Sequence, residues 1–162
     1  MTMKPETPNT RLSAEQALKK LQHYCAYSER CHSDVVNKLY ELGVWKKEHD
    51  GIIAALIEEH YLNEERFAKA FAGGHFRQKK WGRNKIRTAL QQKQVSPYCI
   101  KSGMKEIDEE LYEQTLSGLL HQKWQSLKGE RNRFVKMKKT AAFLIQRGYE
   151  PELFQPLLQV IK

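Results

Sequence analysis

Residues 39–44 read Leu-Tyr-Glu-Leu-Gly-Val, and the same pattern returns twice. Residues 90–95 are Leu-Gln-Gln-Lys-Gln-Val, and residues 144–149 are Leu-Ile-Gln-Arg-Gly-Tyr. Each begins with a leucine suited to a helix face. Four residues later comes a position where a helix can stop, then a residue that can pack back. Glycine at such a stop takes the left-handed conformation cheaply. Gly43 and Gly148 fit; Gln94 departs, so the middle turn is expected to use a different conformation. The stops are 51 residues apart (43 to 94) and then 54 (94 to 148). A near-constant period of this length marks a stacked repeat array.

Helical signals surround each turn, and period-two alternation is nearly absent. Ser13 predicts a cap for a helix with Ala17, Leu18, Leu21 and Cys25 on one face. Ser33 predicts a second helix with Val35, Val36, Leu39 and Leu42 inward. A third is expected over 47–61, with Ile53, Leu56 and Ile57 inward. Asn63 opens a fourth, with Glu64 and Glu65 at the positive end of its dipole. Gly73-Gly74 in its middle predict a kink or a tight helix crossing. A break at Trp81-Gly82 precedes a helix over 83–93 that buries Ile86, Ala89 and Leu90. Ser96-Pro97 start the next. Asp108 or Glu109 opens a long helix to about residue 126, with Leu111 among its apolar residues. A basic helix over 131–147 places Phe134, Met137, Ala141, Leu144 and Ile145 along one face. Pro151 starts the last helix, which Pro156 would either kink or end. Nine helices in threes give an all-α fold, an elongated array of three tandem three-helix repeats over 12–62, 63–107 and 108–162. The polar residues 1–11 read as a disordered lead.

Charge divides the chain. Residues 1–65 carry 8 Lys/Arg and 11 Asp/Glu, a net −3, and residues 66–162 carry 20 and 8, a net +12. A basic half points to an anionic partner, most often nucleic acid. Three cysteines, Cys25, Cys31 and Cys99, with no secretion signal at the N-terminus, fit a reducing, cytoplasmic setting. No apolar run approaches the roughly 18–20 residues that span a bilayer. No heptad seam persists, which favours a monomer.

The charge concentrates in residues 75–94, HFRQKKWGRNKIRTALQQKQ, which hold seven Lys/Arg and no carboxylate. Cations neutralise phosphates and release counterions, and an interleaved aromatic can stack on an unpaired base. Arg77, Lys79, Lys80, Trp81, Arg83 and Arg87 are therefore contact candidates. A second cluster follows one repeat later, with Lys123, Arg131, Arg133, Lys136 and Lys139 as candidates. Stacked repeats could join the two clusters into one basic stripe. A lone Trp beside a glycine turn is also a common packing anchor. His23, Cys25, Cys31 and His32 lie close in sequence but lack zinc-ligand spacing, so no metal site is expected. Phosphate-loop, hydrolase, metalloprotease and dinucleotide motifs are absent, so no catalytic residue or cofactor is expected.

Tyr61-Leu62-Asn63-Glu64-Glu65-Arg66-Phe67-Ala68 resembles a signature of the RecX family of bacterial recombinase regulators, with Asn63 where that signature has an acid. Lys80-Trp81-Gly82 and the Ile86 to Leu90 spacing are similar to the segment that follows it. In the first repeat Val35 stands for the family's leucine. The resemblance runs from about Leu12 to Ile161 and rests on packing and turn residues. It implies tandem three-helix repeats and a protein that binds the RecA recombinase and its filament on DNA. It also implies suppression of ATP hydrolysis, filament growth and strand exchange in recombination, DNA repair and the SOS response, with weak DNA binding in some members. The alternative reading of the same residues is a general DNA-binding helical-repeat protein without specific RecA contact.

Overall fold

A computed structural model describes residues 11–162. Among them are nine α-helices and no strand. The expected disordered lead falls almost wholly outside the described residues. Arg11, its last member, is described, and its guanidinium lies 3.3 Å from the Trp45 ring centroid.

The helices are α1 (Ala14–Tyr27), α2 (His32–Glu41), α3 (Lys46–Glu58), α4 (Glu64–Lys79), α5 (Arg83–Gln92), α6 (Pro97–Met104), α7 (Glu109–Ser126), α8 (Arg133–Gln146) and α9 (Pro151–Val160). They form three sets of three, α1–α3, α4–α6 and α7–α9. By compactness the described residues form two units, one ending at Phe67 and the other running from Ala68 to Lys162.

The second helix of each set ends the same way. The N–H groups of Val44, Val95 and Tyr149 donate to the carbonyls of Leu39, Leu90 and Leu144 at 3.0, 3.1 and 3.0 Å. Gly43, Gln94 and Gly148 precede these donors at φ 72°, 62° and 98°. The middle turn thus has the same conformation as the others, contrary to expectation. Gln94 accepts the left-handed strain because the flanking bonds and the burial of Leu90 and Val95 hold it there. All three leucines are fully buried.

In the first unit, Ser13 caps α1 through a reciprocal capping box with Gln16. Ala17, Leu21, Cys25, Val35, Leu39, Val44, Ile52, Leu56 and Leu62 form the core. The cap of α2 is Cys31 rather than Ser33, because the Asp34 carboxylate reaches back to accept from the Cys31 N–H at 3.2 Å. α3 is shorter than expected and turned: Ile52 is buried and Ile57 is 43% exposed. Its end at Glu58 follows from His60 taking the left-handed conformation. Arg66 ties the start of α4 to this unit, donating to the Glu29 carboxylate at 2.7 Å and to the His60 carbonyl at 3.0 Å.

In the second unit α4 runs through Gly73-Gly74 as one helix. A methyl group at Gly73 would meet first the flexible Arg77 guanidinium of the same helix, and one at Gly74 would meet nothing within 4 Å. The tight approaches lie elsewhere. A methyl at Gly103 would sit 2.6 Å from the Ala68 carbonyl oxygen, and one at Gly82 would sit 2.3 Å from the Gly148 carbonyl carbon. The α4–α5 turn is locked backbone to backbone onto the turn after α8. The Gly82 N–H donates to the Arg147 carbonyl at 2.7 Å and the Asn84 N–H to the Gly148 carbonyl at 2.9 Å. The Tyr149 hydroxyl donates to the Lys80 carbonyl at 2.8 Å, and Arg147 Nη2 donates to the Lys79 carbonyl at 3.3 Å.

Other expectations shift by one position. Asp108 caps α7, with Tyr112 buried and Leu111 45% exposed. Asn132 caps α8, whose buried residues are Thr140 and Leu144, while Phe134 and Ile145 face solvent. Pro156 neither ends nor splits α9: it lies inside it on an exposed position, with Phe154 and Leu158 buried beside it.

Candidate nucleic-acid interface

The eleven candidate contact residues all lie in the 68–162 unit. Arg77 and Lys79 occupy the last turn of α4, and Lys80 follows it in the left-handed conformation. All three are exposed. Cations at a helix C-terminus face the negative end of its dipole, so the helix favours them there without any ligand. Trp81 is half-buried. Its ring centroid lies 4.6 Å from that of His75 and 6.5 Å from that of Phe71. The Lys79 and Lys85 ammonium groups lie 5.3 and 4.5 Å from the same centroid. His75 and Phe71 pack against the ring as neighbours of a packing anchor, and the two cations lie alongside it. Arg87, on the exposed side of α5, donates to Asn84 at 3.1 Å and keeps most of its fork free for solvent.

Arg83 is different. One turn before Arg87, it is turned into the fold. Its guanidinium donates to Glu150 at 3.0 Å and to Glu109, and lies 3.9 Å from the Tyr112 ring centroid. The Arg83 N–H donates to the Tyr112 hydroxyl at 3.1 Å, and that hydroxyl donates onward to Glu150. Burial lowers the guanidinium pKa, but the hydrogen bond and charge of Glu150 outweigh this and raise it. Burial, then the Glu150 hydrogen bond, pushes the Tyr112 phenol far above its ordinary range. Burial pushes the Tyr149 phenol up to about 12. Arg83 therefore holds α5 to the starts of α7 and α9, and its charge is spent internally.

The second cluster divides the same way. Lys136 lies 4.1 Å and Arg133 5.4 Å from the Trp124 ring centroid, and Arg133 also donates to the Ile161 carbonyl at 2.6 Å. Lys123 sits 5.3 Å from the Phe143 centroid, and Lys139 pairs with Glu130 at 3.5 Å. Arg131, in the loop before α8, is exposed. Lys123, Arg133 and Lys136 thus set their charged groups beside aromatic rings, as cation–π partners.

A groove of ≈ 400 Å³ opens beside Trp81 between α5 and the C-terminal end of α8. Lys85, Thr88 and Gln92 line one side, and Ile145 and Gln146 the other. Neither Lys85 nor the α8 residues were among the candidates. Lys85 was visible within the basic run, whereas Ile145 and Gln146 come together with Trp81 only through the Gly82–Gly148 lock, which spans 66 residues (148 − 82).

A model of the second three-helix domain of RecX matches residues 63–104, the span of α4–α6. Relatives named regulatory protein RecX include one from Lactobacillus johnsonii, 30% identical over 105 residues, covering 65% of this chain and 39% of the relative. Another, from Clostridium tetani, is 28% identical over 123 residues, covering 75% and 56%. A third, from Clostridium perfringens, is 30% identical over 122 residues, covering 75% and 57%. The chain thus spans about half the length of these relatives or less. The crystal structure of RecX from Lactobacillus salivarius has the same fold, with TM-score 0.81 at 17% identity over 90% of this chain and 94% of that one. A second crystal structure, of regulatory protein RecX, gives 0.80 at 18% over 88% and 71%. Domain model, sequence relatives and fold agree: this chain is similar to RecX proteins in its α4–α6 segment, over about three quarters of its sequence, and in its all-α fold.

Proposed function

We propose that this chain is a non-catalytic regulator that binds RecA and the RecA–DNA filament and mainly inhibits its ATP hydrolysis, growth and strand exchange. The observation that carries the reading is the carboxylate-free run 75–94. It keeps Arg77, Lys79, Lys80 and Arg87 exposed while the fold satisfies Arg83 internally. Exposed cations with no neutralising neighbour in the same segment favour an anionic partner, and a filament offers both phosphate and acidic protein surface. The chain would act as a cytoplasmic monomer of three repeats, 12–62, 63–107 and 108–162, with weak affinity for bare single- or double-stranded DNA. Inhibition would follow from bridging or capping filament subunits. Among the described residues no helix is long and apolar enough to cross a membrane.

The test is ATP hydrolysis by the matching RecA on single-stranded DNA, with this protein added below the amount that coats the DNA. Substoichiometric inhibition is expected. Changing Arg77, Lys80 and Arg87 together to glutamate, with Arg83 retained, should abolish it at unchanged helicity. Inhibition only at DNA-saturating levels would return the protein to the general DNA-binding class.

A further inference from the structure

The groove beside Trp81 is more specific than phosphate binding requires. Its wall is an indole held by His75 and by the locked α4–α5 turn. Its rim carries Lys85, with Lys79 on the same ring, and its lining includes no carboxylate. Thr88, Gln92 and Gln146 offer hydroxyl and amide groups that both donate and accept. Ile145, 55% exposed, supplies an apolar face opposite α5. A plain phosphate site has no use for the indole, the apolar face or the amides.

We propose that this groove takes one unpaired nucleobase of a single nucleic-acid strand. Trp81 is its stacking surface, and Lys79 and Lys85 hold the flanking phosphates. The proposal rests on the reading that the basic segment faces DNA and names the part of the DNA it contacts. A base has a flat π-face for the indole and an edge of donors and acceptors for the amides, and duplex pairing hides both. The two ammonium groups beside the ring are compact point charges on flexible stems, a form that water solvates strongly. They can leave the ring for the phosphates as the base enters. An acidic peptide would satisfy the lysines but would leave the flat surface and the mixed amide lining unused. The groove is also composite: Trp81 and Lys85 belong to the second helix triplet, Ile145 and Gln146 to the third. It exists only where the Gly82–Gly148 lock is closed.

The test compares binding of the full chain, by fluorescence anisotropy at one salt concentration, to labelled oligothymidylate, to an abasic deoxyribose-phosphate strand of equal length, and to duplex. The base-bearing strand should bind about fivefold or more tightly than the abasic strand, the value of one stacked base. Trp81→Ala should erase that preference and leave abasic affinity unchanged, and Trp81→Phe should keep part of it. Lys85→Gln should weaken both strands equally and flatten the salt dependence. Equal binding of the two strands by the parent overturns the pocket, and that comparison needs no variant to fold. A preference surviving in Trp81→Ala overturns it too. Competition by polyglutamate matching that of the free strand would assign the groove to an acidic peptide instead. RecA is absent throughout, so the outcomes separate. Base preference without RecA inhibition sinks the filament reading alone, and RecA inhibition without base preference sinks the pocket alone.

Discussion

The turns at Gly43 and Gly148 share one backbone conformation and one hydrogen-bond pattern, yet their surroundings differ. A methyl group at Gly43 would meet only the Arg11 Cγ, at an ordinary 3.9 Å. At Gly148 it would lie 2.4 Å from the Lys85 Cβ and 2.6 Å from the Lys85 nitrogen. The middle turn shows that the left-handed conformation does not by itself demand glycine, since Gln94 adopts it. Glycine at 43 is thus a conformational preference. Glycine at 148 is in addition a requirement of close contact, because another turn docks onto it.

The comparison fails first if the buried leucine that begins each turn does not anchor it alike. Leu90→Ala and Leu144→Ala should each lower unfolding stability by about 2–5 kcal/mol, since both leucines are fully buried. Denaturant titration checks this, and a loss below about 1 kcal/mol at either site would break the equivalence. Next comes the contrast itself. Gly148→Ala should lose about 1–3 kcal/mol from overpacking on top of the left-handed penalty, whereas Gly43→Ala should lose about 1 kcal/mol from that penalty alone. Equal losses would mean that the docked turns part freely.

A smaller effect sits on the lock beside Gly148. The Tyr149 phenol titrates at about 12 in the fold and near the ordinary value of about 10 when unfolded. The folded chain holds the proton longer, so this contribution is fully present below about pH 10 and is lost as pH rises through about 12. Tyr149→Phe should therefore show a shallower loss of stability across that alkaline window than the parent. Parallel curves would show that the hydroxyl is as free in the fold as in the unfolded chain. The smallest change is Gln94→Gly, which relieves the left-handed strain and should raise the thermal midpoint slightly, by about 0.5–1 kcal/mol in stability.

The period of the turns was legible because it rests on local chemistry: a leucine, a stop and a residue that packs back. Helix faces were read less well where apolar residues occur in adjacent pairs. Ile52 and Ile53, Leu56 and Ile57, and Leu111 and Tyr112 each offer two neighbouring positions to the core. Only the packed neighbours decide which one enters. The basic run 75–94 was plain in the sequence, but the fate of its members was not. Arg83 and Arg87 look alike one turn apart, and Glu150, 67 residues beyond Arg83 (150 − 83), draws one of them inward. The groove was hidden for the same reason, since half of it comes from α8.

The backbone lock at Gly82 and Gly148 also governs how the molecule comes apart. A repeat array whose members merely abut can lose one member and keep the next, because each interface is a separate small contribution. Here the 80–84 segment and the 147–149 segment satisfy each other's amides and carbonyls. Cutting the chain after Ile107 would leave the Gly82 and Asn84 N–H groups without their acceptors. Helices α4–α9 should accordingly exchange their slow amide hydrogens as one block, with no long-lived state that retains α4–α6 after α7–α9 have melted.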